Sequence, residues 1–304
     1  MVFEAPERLV RALAEARADT TRETGPDGAW LDALPRLLDQ AVAGAGLTVE
    51  RVPVPGGRSG LVVLVGRSDG TSAALKLAPP GAHPEQERAA LEHWGGLGAV
   101  RVLPGAPVAG GMLLERLQPD VSVRSLPEAK AMLEAAGVLR RLWVQPPVDH
   151  GFGTVAELTG RQAAVVKSAT DPEVAELVTA ALDARDELLA VPVDERLLHG
   201  TFRQSKVLAG ERTPWLAVGP EPLVGDPAYD LARLVRDRVE DLVATSSGAG
   251  VARRRVRRLA ESLEVDPERV RGWALFRAVE SAVRSRGSGR PGDAELLLEY
   301  ATWL

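Results

Sequence analysis

The spacing of apolar residues along the chain changes twice. Residues 7–17, which follow Pro6, and residues 30–42 keep a helical period, with Trp30, Leu34, Leu37, Leu38 and Ala41 on one face of the second stretch. A period near two then takes over in "LTVERVPVPG", "GLVVLVGR" and "TSAALKLA". Gly56-Gly57 and Ser68-Asp69-Gly70 divide these runs, which predicts an antiparallel meander with a Gly-rich first turn. Pro84 opens a helix in "PEQERAALEHWGG" that Gly95 and Gly96 end. Residues 100–103 and 112–117 are two further candidate strands. Beyond Pro119 the helical period returns over 126–144, 171–190, 227–243, 251–263, 267–284 and 294–303. Residues 207–209 and 215–218 form a candidate hairpin around "AGERT", and Asp266-Pro267 reads as an N-cap followed by a first helical residue. The expected layout is α+β. A β-rich lobe with a helical N-terminal extension covers 1–117, a short connection lies near 118, and a larger helical lobe covers 118–304.

Composition narrows the function. A chain of 304 residues that is 45% hydrophobic and 26% charged can bury a sizeable core. A net charge of −5 argues against nucleic acid or anionic membrane as a partner. The absence of cysteine excludes disulfides, thiolate metal sites and Cys nucleophiles, and fits a cytoplasmic location. No apolar run reaches the roughly 20 residues of a membrane span, and "MVFEAPERLVRAL" has no apolar signal core, so secretion is not expected. Abundant Ala, Arg, Gly and Val with few Lys suggests a high-GC bacterial source. His83, His93, His150 and His199 lack metal-ligand spacing, and no Walker lysine, GxSxG or GxGxxG motif occurs. The basic helix "ARRRVRRLAESL" has an apolar stripe of Val256, Leu259 and Leu263. It reads as a solvated amphipathic helix, or as a docking face for an acidic partner.

The chemistry centres on "LLHGTFRQSKVLAG", residues 197–210. A phosphotransferase catalytic loop has a His, an Asp two residues on, and an Asn five residues further. Here those positions are His199, Thr201 and Lys206. A metal-binding Asp is expected just after the next strand, and that position is Gly219.

With "GPEPLVGDPAYDLA" downstream, the chain resembles the aminoglycoside phosphotransferase family, near its streptomycin 6-kinase branch. Typical members read "HGDLHHGNVL" and "IDPKPVVGDPAYDLA" where this chain reads "HGTFRQSKVL" and "VGPEPLVGDPAYDLA". "AALKL", "EQERAALEHW", "GAVRVLPG" and "GGMLLERL" match further family segments, so that the likeness runs over about residues 50–304. The resemblance implies a bilobal protein-kinase-like fold with nucleotide between the lobes. It implies that Lys76 pairs with nucleotide phosphates and that Glu87 is its helix partner, with Glu85 as rival. It implies that Ser59 lies in the nucleotide-covering turn "PGGRSG", which a plain hairpin turn explains equally well. The Glu115 carbonyl and Leu117 amide would meet an adenine. His199 and Asp230 would be structural supports of the loop, and Asp226 a helix N-cap and no more.

The departures matter physically. A Thr hydroxyl is a very poor base near neutral pH. Glycine offers a metal no oxygen, and the Lys206 ammonium repels a dication, although Glu221 is placed to offset part of its charge. Relative to the family the three positions shift by about three charge units toward positive. On these residues the chain is expected to be a pseudokinase, without magnesium-dependent phosphotransfer, that binds a small polar ligand or a protein partner in a regulatory role. No metal is expected, and the candidate ligand is ATP or another nucleotide bound without magnesium. The alternative is an active ATP-dependent kinase for an aminoglycoside or sugar hydroxyl with non-standard catalytic residues. A third reading is a scaffold whose cleft is filled by side chains.

Overall fold

A computed structural model describes residues 4–18, 27–105, 110–169 and 172–304. The chain forms two compact units, Met1–Ser122 with Leu208–Gly219, and Val123–Val207 with Pro220–Leu304.

In the first unit helices α1 (Glu7–Ala18) and α2 (Asp27–Gly44) precede strands β1 (Thr48–Arg51), β2 (Leu61–Gly66) and β3 (Ser72–Leu77). Helix α3 (Pro84–Trp94), β4 (Val102–Leu103), β5 (Gly111–Glu115) and β6 (Leu117–Ser122) follow. The main sheet has the order β1-β2-β3-β5-β4 and is antiparallel throughout. Alternation sorts its residues. Leu61, Val63 and Val65 of β2, Ala73, Leu75 and Leu77 of β3, and Leu113 form one buried cluster with Leu9, Leu13, Trp30, Leu34, Leu38 and Ala41 from the two helices. Each such aliphatic side chain contributes about 1.5–3 kcal/mol on burial. Lys76 has the opposite parity and sits between Val62 and Met112 across the ladder, on the other face of the central strand.

Strand β6 lies where the sequence pattern places a connection. Its Pro119 and Asp120 read as loop, yet Leu117 pairs with Gly210, Gln118 with Ala209 and Ser122 with Leu208. The pairing gives a three-stranded sheet with strands Val207–Gly210 and Trp215–Ala217. Tertiary pairing overrides weak local propensity here.

In the second unit the helices are α4 (Glu128–Leu142), α5 (Val155–Lys167), α6 (Ala175–Ala190), α7 (Pro227–Val235), α8 (Val239–Val243), α9 (Gly248–Leu263), α10 (Pro267–Gly287) and α11 (Pro291–Thr302). Three short strands, Gly153–Thr154, Leu223–Gly225 and Arg196–Leu198, form a mixed sheet with the middle one central. Helix α5 is absent from the pattern-based expectation, though it starts with a full capping box between Thr154 and Glu157. The segment expected from residue 171 is helical from Ala175, after a tight turn at Pro172–Val174, and Asp171 lies outside the described residues.

The single helix expected over 227–243 is two. The break falls at Arg238, which is left-handed with φ 58. Such a conformation is costly for a non-glycine residue and needs compensation. The Arg238 guanidinium bonds Gln204 Oε1 at 3.0 Å, the Arg124 carbonyl at 2.6 Å and the Leu126 carbonyl at 3.0 Å. Arg255 donates to the freed carbonyls of Val235 and Asp237, at 3.1 and 2.7 Å, and also pairs with Glu128. One arginine of the basic helix is therefore a buried clasp rather than part of a solvated face.

Asp226 is more than the N-cap expected of it. Oδ1 accepts from the Ala228 amide at 2.8 Å, and Oδ2 accepts from Arg269 Nε at 2.8 Å and Trp273 Nε1 at 2.9 Å. Trp273 is fully buried and stands edge-on to Tyr229 and Phe276. Among the described residues no helix is long and apolar enough to cross a membrane. Asp226→Ala strands a part-buried guanidinium and a buried indole N–H. Denaturant unfolding should show a loss of about 3–5 kcal/mol, and a loss below about 1 kcal/mol would contradict this reading.

Candidate active site

Lys76 and Glu87 belong to the first unit. Helix α3 begins at Pro84, after a left-handed His83, and its first turn carries both Glu85 and Glu87. Glu85 is exposed, whereas Glu87 is buried and accepts a hydrogen bond from Lys76 Nζ through Oε2. Glu87 Oε1 is also buried and has no hydrogen-bond partner. Removing either partner would leave the other charge stranded in a poorly solvated place. Ser59 is exposed in the turn before β2. The Glu115 side chain is taken by Arg212, with Nε and Nη2 at 3.0 and 2.7 Å from its two carboxylate oxygens, and also accepts from the Arg101 amide at 3.1 Å. The hydrogen bonds that Arg212 donates to Glu115 hold its pKa above the usual value. Leu117 is buried at the start of β6. Gly219 has φ 63, and a side chain there would meet no heavy atom within 4 Å of its Cβ.

The loop from His199 to Lys206 lies in the second unit and is fastened at both ends. At its start, the His199 and Gly200 amides donate to the two oxygens of buried Asp230 at 2.7 and 2.8 Å. Gly200 has φ 78, and a Cβ there would fall 2.0 Å from the Glu221 carbonyl oxygen, so no other residue fits. The Glu221 amide donates to the His199 carbonyl at 3.0 Å, and Arg277 Nη2 donates to the Gly200 carbonyl at 3.0 Å. Buried His199 stands edge-on to Phe202, with ring centroids 5.4 Å apart. At its end, the Gln204 amide donates to Asp237 Oδ2 at 2.6 Å, while Arg233 holds Oδ1 at 3.1 Å. A single tight turn, with the Lys206 amide on the Arg203 carbonyl at 2.9 Å, then sets the direction of Lys206. Lys206 Nζ donates to Thr201 Oγ1 at 2.5 Å, and Glu221 Oε1 stands 4.0 Å away. The Lys206 side chain is 18% exposed and that of Glu221 64%, so Glu221 offsets the ammonium only weakly.

Gln204, Asp237 and Arg277 were not among the residues expected at this site. Asp237 had a signal, since it follows Asp230 by seven residues, two helical turns along one face. Arg277 lies 77 residues from the carbonyl it holds and had none.

A family of this kind implies a divalent metal, and the donor set can be tested for it. Magnesium seeks oxygens in near-octahedral order. The implied positions hold an ammonium, a hydroxyl already engaged by that ammonium, and a glycine. Among the described residues no group of three or more His, Cys, Asp or Glu side chains is arranged to hold a metal ion. These residues do not fit a hard dication.

Burial pushes the Asp230 pKa up to about 6, against the lowering effects of Arg277 and the two amides. An acid whose folded-state pKa is raised binds its proton more tightly when folded, so its contribution to stability falls as pH rises from about 4 to about 6. The bonds to His199 and Gly200 favour the ionised carboxylate. Thermal or denaturant unfolding should therefore show the stability difference between wild type and Asp230→Asn moving against wild type by roughly 3 kcal/mol from pH 4 to pH 7. A flat difference would contradict the raised pKa.

Comparison with known proteins places the chain. Residues 45–289 match the family described as "Aminoglycoside/hydroxyurea antibiotic resistance kinase". Streptomycin 6-kinase of Streptomyces griseus is 38% identical over 268 residues, 86% of this chain and 87% of that one. Hydroxyurea phosphotransferase of Kitasatospora aureofaciens is 35% identical over 292 residues, 93% and 80% of the two chains. The crystal structure of aminoglycoside phosphotransferase APH(4)-Ia superposes with a TM-score of 0.62 at 18% identity, covering 89% of this chain and 97% of that one, which shows the kinase-like fold. Relatives this similar are named kinases and a phosphotransferase, and that finding overturns the expectation of a pseudokinase with a regulatory role. The chain belongs to the aminoglycoside/hydroxyurea antibiotic resistance kinases, a family of phosphotransferases that act on a hydroxyl acceptor.

Proposed function

We propose that this protein is a small-molecule kinase that moves a phosphoryl group from ATP to a hydroxyl of an antibiotic-like acceptor, an aminoglycoside such as streptomycin or the hydroxyl of hydroxyurea. The names of its relatives support the acceptor class. The observation that carries the reading is the buried Lys76–Glu87 pair. An ammonium is kept on the middle strand of a sheet by one carboxylate, and Nζ has two further N–H groups with which to meet phosphate oxygens. That is an expensive arrangement for a purely structural lysine, because a buried ion pair is weak evidence of stability.

Thr201 in place of a carboxylate slows such a reaction without closing the path. Phosphoryl transfer through a loose transition state asks little covalent chemistry of the protein and depends on positioning and charge. The loop of the second unit supplies positioning through Asp230, Asp237 and Arg277. A cysteine-free chain that consumes ATP suits the bacterial cytoplasm.

Incubation with ATP and either streptomycin or hydroxyurea should give an acceptor carrying one added phosphoryl group, detected by mass spectrometry. Lys76→Met should lower kcat/KM roughly 100-fold, with circular dichroism showing that the variant is folded. No phosphorylated product from a panel of aminoglycosides and hydroxyurea would contradict the proposal.

A further inference from the structure

We infer that Arg277 of helix α10 is a positioning residue for phosphotransfer, which aims Thr201 by holding the Gly200–Thr201 peptide. The inference rests on the kinase reading above and extends it to the way the loop is aimed.

Gly200 has φ 78 and no side chain, so the peptides on either side of it need to be held from outside. The His199–Gly200 peptide is held by a carboxylate, since its N–H donates to Asp230 Oδ1 at 2.8 Å. The Gly200–Thr201 peptide is held by a guanidinium, since its carbonyl accepts from Arg277 Nη2 at 3.0 Å. Arg277 Nη1 donates to the Tyr229 carbonyl at 2.9 Å, and the guanidinium carbon lies 4.0 Å from the centroid of the Tyr229 ring. Tyr229 precedes Asp230 in α7, so one planar fork ties the loop to the helix turn that carries the loop's own anchor. Arg277 is itself aimed. Arg269, Trp273 and Arg277 recur every four residues and share one face of α10. The first two hold Asp226 Oδ2 at 2.8 and 2.9 Å, and Trp273 stands edge-on to Tyr229. Thr201 comes next in the chain, so its side chain leaves from a peptide plane that Arg277 sets.

The charge of Arg277 also reaches Asp230. Burial pushes that carboxyl up to about 6, and Arg277 is the strongest of the influences that pull it back, ahead of the His199 and Gly200 amides and the Trp143 side chain. The other charged or titratable groups nearby are Arg233 on α7, Glu280 and Arg284 on α10, Glu221, and the His199 imidazole, with Arg255 of α9 at the far end of α7. Protonation of Asp230 removes one of its two acceptor oxygens from the loop, so turnover falls as pH drops through the folded-state value. Loss of Arg277 raises that value and moves the fall to higher pH.

The test is kcat and KM for ATP between about pH 5 and about pH 8 for wild type, Arg277→Lys and Arg277→Met. Circular dichroism checks folding, and carbon NMR follows the Asp230 carboxyl in the ligand-free proteins. Arg277→Met should lower kcat roughly 10- to 100-fold and change KM for ATP by less than about threefold, because Lys76 belongs to the other unit. Its acid limb and its Asp230 titration should both move up by about one pH unit. Arg277→Lys keeps the charge without the fork, so it should restore the Asp230 titration but only part of kcat. A kcat of Arg277→Met within about twofold of wild type, a loss confined to KM, or an unmoved acid limb and Asp230 titration would overturn this inference and leave the kinase reading standing. Should Arg277→Met fail to fold, full kcat in Arg277→Lys would overturn it. No turnover by wild type would overturn both.

Discussion

Two buried carboxylates beneath one loop constrain the chemistry of this protein. Asp230 takes the amides of His199 and Gly200, and Asp237 takes the amide of Gln204. Between those anchors lie three residues, Thr201, Phe202 and Arg203, whose path is then nearly determined, with a glycine at φ 78 against the Glu221 carbonyl at one end and a single tight turn at the other. Thr201 and Lys206 meet because of that path. The strain at Arg238 belongs to the same structure. Its left-handed backbone caps the start of helix α8 beside Asp237, and its guanidinium reaches back to Gln204. Arg255 binds the carbonyls that the break releases. The second unit accepts an awkward helix end, a buried guanidinium and a carboxylate of raised pKa around one short segment. Such costs are typical of a functional segment whose geometry must not drift.

The site changed its chemical character while keeping its frame. A metal-dependent phosphotransferase gathers acceptors around a cation, whereas here the Lys206 ammonium donates to the Thr201 hydroxyl. Loss of the carboxylates at Thr201 and Gly219 read, on residue chemistry alone, as loss of the reaction. The named kinases among its relatives correct that reading. Phosphoryl transfer depends mainly on positioned positive charge, and proton removal is a lesser demand.

Much of the fold could be read from period and punctuation. The meander, its Gly-rich turn, the helix between Pro84 and Gly95 and the late helices all follow from hydrophobic spacing and cap residues. What escaped was held by distant partners. Strand β6 contains Pro119 and exists because Leu117 and Gln118 pair with residues about 90 positions away. The two-residue and three-residue strands of the small mixed sheet are too short to show alternation. Helix α5 carries a legible start signal in its Thr154–Glu157 capping box. Of the site positions, Thr201, Lys206 and Gly219 follow from motif spacing, and Lys76, Glu87 and Asp230 from the family resemblance. The Asp237 anchor and the Arg277 clasp came only from the three-dimensional structure.

The central claim is that the loop is preorganised before any ligand arrives. Native-state amide hydrogen exchange of the ligand-free protein measures this directly at His199, Gly200 and Gln204. If buried carboxylates hold these amides, they exchange only as the second unit unfolds globally, with protection equal to that of its core helices. Exchange of the same three amides at the rate of exposed loops, while helix α10 stays protected, would contradict the account.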